Sequence, residues 1–152
     1  MTLSAILIFV IATGWASPLM ILAGQPACAP TVGDMEGPFY KPNAPERSKT
    51  GNGLVVRGVV RSAHDCAPLS GARIEWWQAN TKGSYDEAHR ATMRAGKDGS
   101  YRYESDFPPP YSGRPSHIHV KVFAPGHRLL TTQIYPKEGQ REIVFDFVIR
   151  PQ

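Results

Sequence analysis

The stretch that decides the fold is HIHVKVF, residues 117–123. Alternate side chains of a β-strand point to opposite faces of a sheet. One face of this stretch is apolar, with Ile118, Val120 and Val122. The other face is polar, with His117, His119 and Lys121. The pattern predicts a strand that gives its apolar face to a core and holds two imidazoles side by side on the opposite face.

Similar short runs of Val, Ile, Tyr, Phe and Trp follow residue 53, separated by turn residues such as those at 97–99. We predict strands at 54–60, 72–78, 100–104, 117–123, 129–135 and 142–149. No sustained helical repeat follows Gly33. This spacing is typical of an antiparallel sandwich or barrel. The stretch 142–149 has apolar residues on both of its faces, which predicts a central strand.

Length and composition limit the class of protein. The chain has 152 residues, which is room for one ordinary domain, and its 41% hydrophobic and 20% charged residues describe a globular protein. The net charge is +4, but Lys and Arg are scattered singly. A nucleic-acid-binding protein clusters them on one face, so we expect no nucleic-acid partner. The mild basicity is interpreted as a contribution to solubility, with a pull toward anionic aromatic acids.

The amino terminus predicts export. Residues 1–33 contain no charged side chain, and 3–11 form an apolar run of the length of a signal-peptide core. We interpret 1–24 as a cleaved signal peptide that directs the protein to the periplasm or outside the cell. The alternative is an uncleaved membrane anchor over 3–23, which would make the membrane a partner.

Two cysteines follow the apolar run, at Cys28 and Cys66. An even count in an exported protein fits one disulfide between them, while two free thiols and lipid attachment at Cys28 are the alternatives. The stretch 30–53 is rich in Pro, Gly, Asn and Ser, which predicts irregular chain. We therefore divide the chain into the export segment 1–24, an irregular wrapping segment 25–53 and a β-domain 54–152.

The imidazole pair of His117 and His119 is the first functional signal, because two imidazoles on one face of a strand can chelate one metal ion. Alone, such a pair is more often a polar surface pair. Its surroundings strengthen the metal interpretation. Tyr111 and Arg114 precede the strand in the Pro-rich stretch PPPYSGRPS, 108–116, and Pro-rich chain has little freedom to lose when it holds a tyrosine rigidly.

Several short motifs occur together in a fixed order. They are EGPFY at 36–40, GARIEWWQAN at 71–80, GSY at 83–85, Asp98-Gly99, Tyr111, RPSHIH at 114–119 and LTTQIY at 130–135. In these residues the chain resembles the intradiol ring-cleavage dioxygenases, the family of protocatechuate and catechol dioxygenases. The resemblance implies an all-β, prealbumin-like β-sandwich with antiparallel or mixed pairing.

The resemblance also implies a site and a reaction. Tyr85 and His117 are expected as equatorial ligands and Tyr111 and His119 as axial ligands of one non-haem Fe(III), with a hydroxide completing the site. Fe(III) is a hard cation that favours anionic oxygen, in keeping with these residue types. The implied substrates are a catechol-type aromatic and O2, and the implied product is a cis,cis-muconate.

Further pocket residues are carried over from the same resemblance. Arg114 is expected to stabilise negative charge on the ring, Gln133 to orient the same region, and Trp77 to pack beside the metal and exclude solvent. Since adjacent strand residues face opposite ways, Trp76 is expected in the core. The connection 86–97 is short, which predicts an open mouth that admits bulky, plant-derived catechols.

Other interpretations remain at this stage. A secreted, non-enzymatic β-sandwich binding module is one, because a fold does not fix a function. A hydrolytic zinc site at the imidazole pair is another, although no third ligand stands at a suitable spacing. Three histidines match no motif and are predicted to lie on the surface: His64, His89 and His127. Glu36 is expected to be a structural partner for the backbone or an arginine. The sequence leaves the oligomeric state open.

Overall fold

The structure is a computed structural model that describes residues 28–152. The predicted signal peptide at 1–24 and the alternative anchor at 3–23 lie outside the described residues. Within 28–152 there is no helix of the length and apolarity needed to cross a membrane.

Within the described residues, eight strands form two four-stranded sheets. They are β1 (Leu54–Ser62), β2 (Arg73–Ala79), β3 (Tyr85–Arg94), β4 (Ser100–Ser105), β5 (Ile118–Phe123), β6 (Leu130–Ile134), β7 (Glu142–Val144) and β8 (Phe147–Ile149). One sheet, the site sheet, has the antiparallel order β3-β2-β5-β6. In the second sheet β1 pairs with β4 antiparallel and with β7 and β8 parallel. The predicted all-β sandwich with mixed pairing is confirmed.

The core lies between the sheets. The site sheet contributes the alternate residues that the strand pattern predicts, including Ile74, Trp76, Ile118, Val120 and Val122, all buried. Apolar residues of the second sheet face them, and the ring of Trp76 stacks on that of Tyr103 with the centroids 4.3 Å apart. Burying a large apolar side chain contributes about 1.5–3 kcal/mol, so this layer supplies most of the cohesion between the sheets.

Strand β3 is not among the predicted strands. Its sequence, YDEAHRATMR, is rich in charged residues and alanine, which are depleted in strands. It forms because it lies at the edge of the site sheet, where outward-facing charge is tolerated and protects the edge. The stretch 86–97 is therefore mostly an edge strand. The short connection from which an open mouth of the site was predicted is not present, so that premise is wrong.

The prediction of one central strand over 142–149 is also wrong. The chain breaks at Phe145 and Asp146 into β7 and β8, and among the strands of residues 28–152 each pairs with β1 alone. Gly58 of β1 lets the Phe145 backbone approach closely, since an added Cβ would lie 2.0 Å from its carbonyl oxygen. The Asp146 carboxylate accepts a hydrogen bond from the Val59 backbone at 2.8 Å in place of a ladder partner. Val144 is 63% exposed, so the second apolar face borders solvent.

Residues 28–53 form no sheet strand and lie along sheet edges; we call them the cover segment. Asp34 donates its backbone N–H to β6, Arg47 to β3 and Thr50 to β4, at 2.8–2.9 Å. A disulfide joins Cys28 to Cys66, with the Cα atoms 5.3 Å apart. The cover segment thus pairs three edges that would otherwise present free backbone groups.

Candidate metal centre

The site lies on the outer face of the site sheet. His119 belongs to β5 and His117 directly precedes it, and their ring centroids are 4.8 Å apart. Trp77 of β2 is paired with His119, and the two rings stack at 4.9 Å with an angle of 7°. The alternation of the strand therefore brings both imidazoles and Trp77 to one face, as the sequence pattern predicts, and all three are nearly fully buried.

Tyr85 completes a cluster of three donor atoms. It opens β3, two strands away from His119, and its hydroxyl lies 3.2 Å from Nε2 of His117 and 3.1 Å from Nε2 of His119. A register shift between Trp77 and Ala79 on β2 precedes this point, and such irregularities redirect side chains beside functional sites. One phenol oxygen and two imidazole nitrogens thus converge on a common point.

Tyr111 reaches the site from a tight hairpin. It exchanges backbone hydrogen bonds of 3.1 and 2.9 Å with Arg114. The two residues between them, Ser112 and Gly113, have φ of 49° and 75°, the left-handed conformation of a two-residue hairpin turn. The ring of Tyr111 stands at 88° to that of Tyr85, with centroids 5.3 Å apart. The hairpin therefore brings the second tyrosine against the first.

A ring from the cover segment packs against both tyrosines. Phe39 stacks on Tyr85 with centroids 4.3 Å apart and meets Tyr111 edge-on at 5.6 Å. Phe39 was not among the predicted site residues. The only sequence signal was its place in the motif at 36–40, since an isolated Phe carries no chemical signature.

Arg114 and Gln133 belong to a polar network at the edge of the site. Arg114 Nη2 donates to Gln133 Oε1 at 2.8 Å and to the Tyr135 hydroxyl at 2.9 Å. The Tyr135 hydroxyl donates to Asp34 Oδ2 at 2.7 Å, and Gln133 Nε2 donates to the Met35 carbonyl at 2.7 Å. The network fixes the guanidinium before any ligand arrives. Neither Asp34 nor Tyr135 was singled out from the sequence.

Burial sets the charge states of the donors. It lowers the pKa of His119 to about 4 and also lowers that of His117, so both imidazoles are neutral near pH 7. His117 Nδ1 lies 2.7 Å from the Pro115 carbonyl, which places its proton there and leaves Nε2 a lone pair. Burial, followed by the neighbouring Tyr111, raises the pKa of Tyr85 to about 12. A nearby cation is needed to ionise that phenol.

These residues fit a ferric ion. Two neutral imidazoles and the Tyr85 oxygen converge with the Tyr111 ring beside them, and a trivalent cation supplies the positive charge that ionisation of a buried phenol requires. Within residues 28–152, no three His, Cys, Asp or Glu side chains are grouped to hold a metal. A metal at the imidazole pair therefore needs the tyrosine oxygens, which argues against the usual zinc ligand sets.

A cavity of about 330 Å³ opens over the donor atoms. It is lined by Met35, Gly37, Pro38, Phe39, Tyr85, Tyr111, Ser112, Arg114, His117 and His119. The cover segment supplies the first four of these. Gly37 has φ of 73°, and an added Cβ would lie 3.0 Å from Cε1 of His119, so the segment approaches the imidazole as closely as only glycine allows.

Glu36 and the three histidines outside the motifs lie away from the donor atoms. Glu36 pairs with Lys121 at 2.5 Å, so its predicted structural role holds with a different partner. His64 is exposed, and His127 is half-buried beside Ser62. The surface prediction is wrong for His89, whose side chain is only 12% exposed.

The fold and the site define a class: an all-β sandwich that gathers two phenols and two imidazoles under an irregular cover. No family model matches the chain. Over 139 residues it is 32% identical to the chlorocatechol 1,2-dioxygenase of Cupriavidus pinatubonensis. The match covers 69% of this chain and 54% of that protein. The chain spans about half the length of the curated relatives it matches.

Solved structures of dioxygenases are also similar to this chain. The dioxygenase domain of a dioxygenase carbohydrate-binding protein fusion from Streptomyces sp. SirexAA-E is 35% identical, with a TM-score of 0.73 and coverage of 82% of this chain and 100% of that domain. The intradiol ring-cleavage dioxygenase of Tetranychus urticae shares the fold at 19% identity and a TM-score of 0.74, with 82% and 96% covered. The chain belongs to the intradiol ring-cleavage dioxygenase family.

Proposed function

We propose that this protein is a Fe(III)-dependent intradiol dioxygenase that inserts both atoms of O2 into a catechol-type ring and releases a cis,cis-muconate-type product. The observation that carries the proposal is the contact of the Tyr85 hydroxyl with both imidazole Nε2 atoms, at 3.1 and 3.2 Å. A single hydroxyl proton can serve one of these two nitrogens at a time, whereas a shared cation accounts for the convergence of all three atoms on a buried face.

Four side chains hold the metal in this proposal: Tyr85, Tyr111, His117 and His119. When bound, the ferric ion supplies the positive charge that keeps phenols ionised and draws both catechol oxygens to one point. The two neutral imidazoles add no charge. Proline-rich chain before Tyr111 and the hairpin after it limit how far that tyrosine moves.

The chain's own residues handle the substrate. The Tyr111 oxygen takes a proton from a catechol hydroxyl as the substrate enters, which is the work of a general base placed beside the reacting group. Arg114 presents a guanidinium fixed by Gln133 and Tyr135, and a fixed cationic donor stabilises negative charge that develops on the ring. Trp77, stacked on His119, keeps water from that side.

The cavity bears on substrate size. Its volume of about 330 Å³ is at the small end of ligand pockets, and Met35 on its rim is 62% exposed. We propose that a catechol ring sits over the donors while a bulky substituent extends past Met35 into solvent. Turnover of catechol, protocatechuate and a caffeoyl-type catechol tests this, and activity confined to unsubstituted catechol contradicts it.

We also propose that the protein is exported after removal of residues 1–24. The disulfide between Cys28 and Cys66 supports this, because disulfides persist in oxidising compartments. Mass spectrometry of the native protein tests cleavage. A mature protein that retains Met1 contradicts it.

The first test of the activity is spectroscopic. Iron-loaded protein should show the broad visible absorption of phenolate bound to Fe(III), and a colourless protein contradicts the ligand set. Tyr85→Phe should remove most of the band, since it deletes one phenol oxygen. Tyr101→Phe is the matched control: its hydroxyl donates to the Phe145 carbonyl within the core side of the fold, so the band should be unchanged.

The second test follows the reaction. Catechol is added to iron-loaded protein without oxygen, the spectrum is recorded, and oxygen is then admitted. A shifted band followed by a muconate supports binding and intradiol cleavage together. A ring-opened aldehyde indicates extradiol cleavage and contradicts the proposed product, while no spectral change and no product favour a non-enzymatic binding module.

A further inference from the structure

His89 lies between two carboxylates beside the candidate metal centre. Its Nδ1 is 2.7 Å from Asp86 Oδ1, and its Nε2 is 3.3 Å from Asp106 Oδ2. The histidine side chain is 12% exposed, against 39% for Asp86 and 33% for Asp106. The ring is thus largely covered while both of its nitrogens face acceptors, and the metal centre does not use it directly.

The first of these contacts lies in the irregular part of β3 that follows Tyr85. Arg90 of β3 pairs with Trp77 of β2, and Tyr85 pairs with Ala79. Four residues of β3, 86–89, therefore oppose the single residue Gln78. A bulge of this size lacks regular ladder bonds and depends on other contacts for its shape.

Hydrogen bonds between Asp86 and His89 join the two ends of this bulge. Asp86 Oδ1 accepts from the His89 backbone N–H at 3.0 Å as well as meeting its ring. Asp86 Oδ2 accepts from Asn80 Nδ2 at 2.7 Å, at the β2 end of the turn. These bonds set where the chain enters the bulge, and the residue at that point is Tyr85.

The second contact ties the bulge to another part of the site. Asp106 directly follows β4 and begins the chain that leads through the prolines to Tyr111. Its Oδ1 accepts from the Asn52 backbone at 2.9 Å, and its carbonyl accepts from Nε2 of the buried Gln78 at 2.9 Å. Gln78 is the residue opposite the bulge, so Asp106 holds the bulge from both strands.

We propose that His89 is a positioning residue that clamps the β3 bulge and so directs the Tyr85 hydroxyl toward Nε2 of His117 and His119. The inference rests on the proposed function for the purpose of that geometry. His89 does not touch the donor atoms, and its effect passes through the backbone between positions 86 and 89. Asp106 holds the far side of the ring.

The test compares three variants with the iron-loaded wild-type protein. Asparagine places its amide near the position of Nδ1, so His89→Asn keeps the Asp86 contact, whereas His89→Leu loses both contacts. Residues that orient metal ligands are worth about 10–100-fold in metal affinity. We expect His89→Leu to bind iron at least about 10-fold more weakly with an altered visible band, and His89→Asn to restore most of both. Asp106→Asn should give a smaller loss.

His64→Leu is the matched control, because His64 is exposed and remote in sequence from the bulge. It should leave iron affinity and the visible band unchanged. Wild-type affinity and band in both His89→Leu and Asp106→Asn would overturn the inference while leaving the proposed function intact. If His89→Leu does not fold, Asp106→Asn and His89→Asn carry the comparison.

A metal-free crystal structure separates this inference from the proposed function. In the wild-type protein the Tyr85 hydroxyl lies 3.1 Å from His119 Nε2. In His89→Leu this contact should be lost. Retention of that contact refutes the positioning role whether or not the protein binds iron. A wild-type protein that binds no iron refutes the proposed function alone.

Discussion

The two faces of the site sheet are both buried, but by different means. On the core face Trp76 stacks on Tyr103 at 4.3 Å and packs among apolar residues of the second sheet. On the opposite face its neighbour Trp77 stacks on His119 at 4.9 Å and meets Tyr40 of the cover segment at 5.1 Å.

The outer face is closed by polar contacts. Lys121 pairs with Glu36 and lies 3.6 Å from the centre of the Tyr40 ring, whose hydroxyl donates to Glu75 at 2.9 Å. The sandwich thus supplies one dry apolar face, while irregular chain makes the buried polar pocket in which the candidate metal centre lies. Substitutions on the two faces should therefore have different effects.

The largest expected effect is on the core face. Trp76→Ala should lower the free energy of unfolding by about 3–5 kcal/mol, because it leaves a cavity between the sheets. Urea denaturation of the metal-free protein measures this. The folded fraction should keep the wild-type visible band when loaded with iron, and a changed band would show that the two faces are not independent.

A smaller effect is expected where the cover segment meets the site. Gly37→Ala places a Cβ 3.0 Å from Cε1 of His119 at a φ of 73°, and the backbone strain alone costs about 1–2 kcal/mol. The change should also move the imidazole and alter the visible band. Gly126→Ala is the control, since its φ is 72° but nothing lies within 4 Å of the added Cβ; it should lose stability without altering the band.

An acid-dependent loss of stability is expected on the outer face of the metal-free protein. Burial depresses the folded pKa of His119 from 6.5 to about 4, so between these pH values the unfolded chain binds a proton that the folded chain does not. Stability therefore falls as pH decreases from about 6.5 toward about 4. Denaturation midpoints measured at several pH values should fall less with decreasing pH in His119→Gln than in the wild type. An equal fall in the two proteins contradicts the assignment of this effect to His119.

The smallest effect is expected at the ion pair that fastens the cover segment. Glu36→Gln should cost less than about 1 kcal/mol, because a partly exposed pair is worth little. Glu36 is 44% exposed at its side chain. Thermal unfolding with and without 1 M salt measures the cost, and the difference between wild type and variant should shrink in salt. A loss comparable to that of Trp76→Ala would make the polar face as important as the core.

Much of the site was predictable from local pattern. Alternation placed His117 and His119 together, and it separated Trp76 from Trp77. The edge strand β3 was not predictable, because its composition is that of a helix or loop and only pairing with β2 orders it. The split of the last strand depends on the close approach of Gly58 to Phe145, which no local signal reveals.

By itself, the sequence determined the all-β class and, through its ordered motifs, the family and the phenols and imidazoles expected at the candidate site. Only the tertiary structure decided how those groups are held. Asp34 and Tyr135 are 101 residues apart when they fix Arg114, and His89 works through carboxylates on two different segments. Contacts between such distant residues follow from the final packing of the chain, so a local pattern carries no record of them.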